Sequence, residues 1–64
     1  MKRKAFIAYV KSNGCYLARE GGRHSLYVNG DNGKYSAVPR HAEIKDNLVK
    51  EICKDLGIPY PGKN

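Results

Sequence analysis

The stretch that decides the fold is CYLAREGGRHSLYVNGDNGKYSAVP, residues 15–39. It contains three segments whose residues alternate as in β-strands, at 15–20, 24–29 and 34–38. Gly21-Gly22 interrupts the pattern after the first segment, and the turn-forming run NGDNG at 29–33 joins the other two as a hairpin. Pro39 ends the third strand because proline cannot donate to the hydrogen-bond ladder. The stretch therefore predicts a three-stranded antiparallel sheet.

A helix is predicted on each side of this sheet segment. Residues 3–12 and 46–56 each place apolar side chains on one helical face. In the second helix, Asp46 is the predicted N-cap, and Gly57 fits the left-handed position that follows the last turn. Since neither a lone helix nor a lone hairpin is stable in water, both helices are expected to cover one face of the sheet. The predicted fold is α+β, in the order α-β-β-β-α, with one shared core.

The chain is small and strongly basic. Its 64 residues are expected to form one domain, 1–64, with a thin core and a loose tail at 60–64. The net charge of +6 belongs entirely to residues 1–41, where eight Lys and Arg face two acidic residues. Such a one-sided basic surface favours a nucleic-acid partner over a charge that serves solubility alone. No segment approaches the roughly 20 apolar residues of a membrane span, so a soluble, cytoplasmic protein without a membrane partner is predicted.

The two histidines of the chain each follow an arginine, in Gly22-Arg23-His24 and in Pro39-Arg40-His41. Imidazole exchanges protons near neutral pH, and guanidinium holds a phosphate or the extra negative charge of its transition state. These groups suffice to cleave a phosphodiester without a metal ion. On spacing alone, packing at a strand end is favoured for His24 and a backbone contact for His41. Arg40 is evenly balanced between a phosphate contact and an exposed charge without a partner.

The other chemically distinctive side chains favour structural roles. Tyr16, Tyr27 and Tyr35 are candidates for an open sheet face on which RNA bases stack, although cross-strand packing is the favoured role. Cys15 and Cys53 are expected as buried, reduced thiols, with a single disulfide as the alternative. The histidines and cysteines form no close pair of the zinc-binding kind, and no pair of carboxylates lies near the histidines. No metal and no cofactor are therefore expected.

Four motifs are distinctive in their order and spacing: Gly14-Cys15 after a short helix, REGGRHS at 19–25, VPRH at 38–41 and ICKDLGI at 52–58. Together they resemble the HicA toxins of bacterial type II toxin–antitoxin systems. The resemblance runs from about Lys2 to Pro59. It implies a fold like that of double-stranded-RNA-binding domains, whose α-β-β-β-α order agrees with the order predicted above.

The resemblance also implies a function, that of a small ribonuclease that cleaves messenger RNA. Together with the lack of a metal-binding pattern, this predicts a metal-independent endoribonuclease. The resemblance places the family's active-site histidine on His24 and implies a HicB-type antitoxin that binds the toxin and masks this site. Arg23 stands where the family often has serine. The candidate residues for RNA and phosphate contacts are Gly22, Arg23, Arg40, Lys34 and Arg19, with His41 as a secondary candidate for proton transfer. The alternatives are a non-catalytic RNA-binding module of the same fold and a protein that docks only an acidic partner.

Overall fold

The computed structural model describes residues 1–62. The elements follow one another as α1 (Arg3–Ser12), β1 (Cys15–Glu20), β2 (His24–Asn29), β3 (Tyr35–Pro39) and α2 (Asp46–Leu56). The strands form one antiparallel sheet in the order β1-β2-β3. The predicted α+β fold with α-β-β-β-α order is therefore confirmed. The third strand lies one residue later than predicted and includes Pro39, which an edge strand tolerates.

Both helices pack on one face of the sheet, and the core lies between them. Its members are at most 4% exposed: Phe6 and Val10 from α1; Val49, Ile52, Cys53 and Leu56 from α2; Cys15, Tyr27 and Val38 from the sheet; and Ile44 from the loop before α2. No element of residues 1–62 covers the other face, which is called the open face below. Tyr16 and Tyr35 are exposed there. In this one-sided arrangement, a single layer of side chains holds the sheet to both helices.

The buried face of β2 is its more polar face. Ser25, Tyr27 and Asn29 are buried against the helices, whereas Leu26 and Val28 lie half-buried on the open face. The expectation that Tyr27 lines the open face is therefore wrong. Hydrophobic alternation alone would assign Leu26 and Val28 to the core, because it takes no account of polar side chains that form hydrogen bonds in the protein interior.

The two polar side chains on this buried face have hydrogen-bond partners. Ser25 Oγ accepts from Arg3 Nη2 at 3.1 Å and donates to Glu20 Oε1 at 2.7 Å. Asn29 Nδ2 donates to the carbonyl oxygen of Leu56 at 2.8 Å, which ties the β2–β3 hairpin to the end of α2. A buried hydroxyl or amide is costly only when it is left unpaired. These partners explain why the sheet buries its polar face.

A β-bulge in β1 changes which residues share a face. The register passes from Leu17 directly to Arg19, so Ala18 is the extra residue. As a result Arg19 stands on the open face, and Glu20 stands on the helix-covered face opposite Ser25. Without the bulge, strict alternation along β1 would place Arg19 on the helix-covered face and Glu20 on the open face. The bulge thus decides which of these two charged residues lies on the open face and which lies on the helix-covered face, where Glu20 meets Ser25.

The two ends of α2 differ in how well the sequence predicted them. Lys45 occupies the N-cap position and Asp46 is the first helical residue, so the predicted cap at Asp46 is wrong by one residue. The carboxylate of Asp46 still lies in the first turn, where the helix dipole favours negative charge. At the other end Gly57 has a left-handed φ of 71°, and the Ile58 amide donates to the Cys53 carbonyl at 3.0 Å. This C-terminal motif is confirmed.

The segment after α2 folds back on the helices. Tyr9 Oη donates to the carbonyl oxygen of Pro59 at 2.6 Å, and Lys50 Nζ lies 5.2 Å from the centroid of the Tyr60 ring. The predicted tail at 60–64 thus begins with a partly buried side chain, and its residues 63 and 64 lie outside the described residues. Neither helix within residues 1–62 has the length and apolar character that a membrane crossing requires.

Cys15 and Cys53 are free and buried, as predicted. Burial raises the pKa of the Cys53 thiol from 9.0 to about 11, and the neighbouring Cys15 adds to the shift. Burial likewise raises the pKa of Cys15, with a contribution from the Asp31 carboxylate. Since the thiolate is the reactive form, the raised pKa lowers the reactive fraction of each thiol at neutral pH.

Substitution of one α2 residue tests the position of the core. Ile52 is 1% exposed and Leu48 on the same helix is 39% exposed. We expect Ile52→Ala to lower the free energy of unfolding by about 2–5 kcal/mol, because it removes buried methyl groups and leaves a cavity. Leu48→Ala is the matched control and should lower it much less. Urea unfolding followed by circular dichroism measures both, and equal losses would place the core elsewhere.

The raised pKa of Cys53 predicts a pH dependence of folding stability. Because its folded-state pKa of about 11 exceeds the ordinary value of 9.0, its contribution is present in full below pH 9.0 and is lost as the pH rises toward 11. Urea unfolding of the parent and of Cys53→Ala, from about pH 8 to about pH 11, isolates this effect from other titrating groups. The parent should lose more stability than the variant over this interval. An equal loss in both proteins would refute the role of Cys53.

Candidate active site

Residues from two loops meet at one end of the sheet. Because β2 and β3 are antiparallel, the first residue of β2, His24, lies opposite the last residue of β3, Pro39. Six residues line one open depression of about 600 Å³, called the His24 depression below: Gly22, Arg23, His24, Pro39, Arg40 and His41. The fold thus brings together both histidine motifs that the sequence analysis singled out.

The β1–β2 loop is short, and one backbone hydrogen bond closes it. The Gly21 amide donates to the carbonyl oxygen of His24 at 2.8 Å, with Gly22 and Arg23 at the tip. A Cβ atom on Gly21 would lie 2.9 Å from that oxygen, closer than real Cβ contacts allow, whereas Gly22 has open space around it. The amide of Gly21 is therefore occupied. Those of Gly22 and Arg23 donate to no protein acceptor within residues 1–62.

His24 is presented at the rim of the open face. It is exposed, and it shares this face with Leu26 and Val28 because alternate residues of a strand point to the same side. In the described part of the chain, the side chains of Arg23, His24 and His41 take part in no hydrogen bond or ion pair. The exposed groups at this site are thus free to meet a ligand.

Arg40, in contrast, is already engaged. Its Nη2 lies 2.5 Å from Glu20 Oε1, and its Nε donates to the carbonyl oxygen of Gly21 at 3.1 Å. Its backbone amide donates to the carbonyl oxygen of Arg23 at 3.3 Å. The interpretation of Arg40 as a charge without a partner is therefore wrong. Arg40 fastens the β1–β2 loop to the segment that follows β3.

Arg3, counted above only among the eight cationic residues of 1–41, supports the same region from α1. Its Nε donates to the carbonyl oxygen of Pro39 at 2.8 Å, and its Nη2 donates to Ser25 Oγ at 3.1 Å. Its backbone amide donates to the carbonyl oxygen of Ala42 at 2.9 Å. Nothing in the local pattern distinguishes Arg3 from the lysines beside it, since its partners lie far along the chain. It holds the segment that carries His41 against the helix.

Arg19 and Lys34 lie outside the His24 depression. Arg19 is exposed on the open face, in the pair of strands that leads to His24. Lys34 precedes β3 at the other end of the sheet, where its alkyl chain lies near Gly57. The six residues of β2 separate this end from His24 by about 17 Å. Lys34 therefore cannot share one phosphate with Arg23.

The charges of the site favour an anion and suit proton transfer. Glu20 is bonded to Arg40 and to Ser25. Within the described residues, the guanidinium of Arg23 is therefore the one in the His24 depression that has no partner. Both imidazoles line the same depression and are exposed to solvent. Among residues 1–62 there is no group of three or more His, Cys, Asp or Glu side chains placed to hold a metal ion. The arrangement can bind a phosphate and move protons beside it.

A comparison with models of protein families identifies residues 3–58 as similar to the family described as HicA toxin of bacterial toxin-antitoxin. No curated protein and no solved structure matches the chain. The family match includes both histidine motifs, both helices and all three strands. This chain therefore belongs to the HicA toxin family of bacterial toxin–antitoxin systems.

Proposed function

We propose that this HicA toxin is an endoribonuclease that cleaves messenger RNA without a metal ion, with His24 as its acid–base residue. The observation that carries the proposal is the His24 depression, where an exposed imidazole lies beside an arginine whose guanidinium has no partner among residues 1–62. Membership of a family that generally consists of ribonucleases supports it. Residues 1–41 contain eight cationic and two acidic residues, and this excess of positive charge favours a polyanionic substrate.

In the proposed reaction, His24 accepts the proton of a ribose 2′-hydroxyl. The 2′-oxygen attacks the adjacent phosphorus, and the bond from phosphorus to the 5′-oxygen of the next nucleotide breaks. A proton passes to this leaving oxygen, with His41 as the candidate donor. The products are a 2′,3′-cyclic phosphate and a 5′-hydroxyl. Acid–base catalysis of this kind contributes about 10²–10⁴-fold, which is consistent with a slow enzyme.

In this proposal, Arg23 and Arg40 have different roles. Arg23 stabilises the charge that builds on the phosphoryl oxygens, because its guanidinium has no protein partner among the described residues. The amides of Gly22 and Arg23 add donors at the tip of the same loop. Arg40 holds this loop in place through Glu20 and Gly21, so it is a positioning residue first and a phosphate ligand second.

The His24 depression is the surface that we propose an antitoxin would cover. Family membership implies an antitoxin partner, and we propose that it is a HicB-type protein. Acidic or hydrogen-bonding groups placed in the His24 depression would occupy Arg23 and both imidazoles. RNA and antitoxin then compete for the same groups. Inhibition needs no change in the fold of the toxin.

The first test is cleavage of a mostly single-stranded messenger RNA in EDTA by the parent protein and by His24→Ala. We expect the variant to lose about 10²-fold or more in rate while it still binds RNA, because proton transfer is lost and the phosphate contacts remain. The products of the parent should carry 2′,3′-cyclic phosphate and 5′-hydroxyl ends. Products with 3′-hydroxyl ends would contradict the chemistry. RNA binding without cleavage by either protein would favour a non-catalytic RNA-binding module.

A double-mutant cycle tests the separate roles of the two arginines. If Arg40 acts through Glu20, the loss of kcat/KM in Glu20→Gln/Arg40→Gln should be no greater than the larger single loss. Arg23→Gln combined with Glu20→Gln is the matched control, and its losses should multiply, since these side chains share no bond. Multiplicative losses for Glu20 and Arg40 would instead mean that Arg40 contacts RNA independently of Glu20.

A further inference from the structure

The open face leads from the His24 depression to two exposed aromatic rings. Tyr16 on β1 and Tyr35 on β3 both lie opposite Val28 on β2, so they flank it on the same face. They are 53% and 66% exposed, the two most exposed of the large hydrophobic side chains. His24 belongs to the same face because it precedes Val28 by two pleats of one strand. Rings and imidazole thus border one continuous surface.

The dimensions of this surface fit a few nucleotides. Strands in a sheet lie about 4.8 Å apart, so the Cα atoms of Tyr16 and Tyr35 are separated by about 10 Å. Along β2, a rise of about 3.4 Å per residue places Val28 about 14 Å from His24. A chain bound at His24 therefore reaches both rings without leaving the sheet.

The charges on this face favour a polyanion. Arg19 projects from it, since the β-bulge turns Arg19 outward and Glu20 toward the helices. Asp31 lies in the β2–β3 turn near Gly14. The other described carboxylates belong to the loop before α2 or to α2 itself: Glu43, Asp46, Glu51 and Asp55. An open face with exposed aromatic rings, an arginine and no carboxylate matches the bases and phosphates of a nucleic acid.

We propose that Tyr16 and Tyr35 form a base-stacking subsite for unpaired nucleotides next to the scissile phosphate, so that the toxin selects single-stranded RNA. The subsite rests on the proposed function, since it extends the surface at which His24 acts. Bases in a duplex are stacked on one another and offer no free ring face to these tyrosines. Stacking of this kind tolerates any base, because every base has a π-face. Selection is therefore for unpaired RNA rather than for one sequence.

The experiment measures binding of a fluorescent single-stranded oligonucleotide by anisotropy, in a His24→Ala background that prevents cleavage. Tyr35→Leu and Tyr16→Leu should each weaken binding roughly 5- to 150-fold, as expected for loss of one stacked base. Tyr35→Phe should bind like its parent, because it keeps the ring. Tyr60→Leu, an aromatic change on the helix side, is the matched control and should have no effect. The salt dependence should stay constant across the set, because no phosphate contact is removed.

A second probe needs no change at the tyrosines. In an oligonucleotide whose flanking nucleotides are abasic, the phosphates remain and the rings have nothing to stack on. It should bind the parent more weakly by the same factor as the intact oligonucleotide binds Tyr16→Leu/Tyr35→Leu, and combining the probe with this double variant should add no further loss. Unchanged affinity in both tests would overturn the subsite, whether or not the parent cleaves RNA.

The remaining outcomes separate the subsite from the proposed function. Ring-dependent binding by a protein that never cleaves RNA would support the subsite and refute the ribonuclease. Cleavage by the parent with equal affinity for duplex and single strand would refute the subsite and leave the ribonuclease in place. Sedimentation provides a last check. A dimer that becomes a monomer in Tyr35→Leu, with RNA affinity unchanged, would show that the open face binds a second copy, which also refutes the subsite.

Discussion

The site depends on one buried hydroxyl. Ser25 is 1% exposed. Its Oγ accepts a hydrogen bond from Arg3 and donates one to Glu20, which in turn pairs with Arg40. This chain of bonds, with the bond from Arg3 Nε to the carbonyl oxygen of Pro39, holds α1, both outer strands and the two loops of the His24 depression in one geometry. A hydroxyl can serve in this way because it donates and accepts at once. Because the core is thin, this polar network contributes stabilisation that apolar packing supplies in larger proteins.

The network also fixes the orientation of the sheet. Once Ser25 is buried with its partners, the period of two along β2 buries Tyr27 and Asn29 and exposes His24. A shift of one residue would bury the imidazole among the helices and leave the hydroxyl in solvent. The exposure of His24 and the burial of Ser25 thus both follow from the same orientation of β2. Among residues 1–62, no buried side-chain nitrogen or oxygen lacks a partner, so this polar arrangement is fully satisfied.

Much of this architecture follows from the sequence because its signals are local. Glycine and turn residues fix where strands end, and Gly57 fixes the end of α2 through its left-handed backbone. The meeting of the two histidine motifs then follows from antiparallel pairing. What sequence reasoning misses depends on distant partners: the bulge at Ala18, the burial of Tyr27 and the engagement of Arg40 and Arg3. The residue pattern of one strand cannot show that its serine, Ser25, forms a hydrogen bond with an arginine of another element, Arg3.

The same distinction decides what each arginine can do. Arg3 and Arg40 have their guanidinium groups bonded within the protein, whereas Arg19 and Arg23 take part in no ion pair within residues 1–62. A guanidinium that holds two loops together cannot move to a phosphate without releasing them. The bonded pair therefore maintains the frame, and the other pair is left for ligands. Under the proposed function, an antitoxin that covered Arg23 and His24 would take the proposed RNA contacts and leave this frame intact.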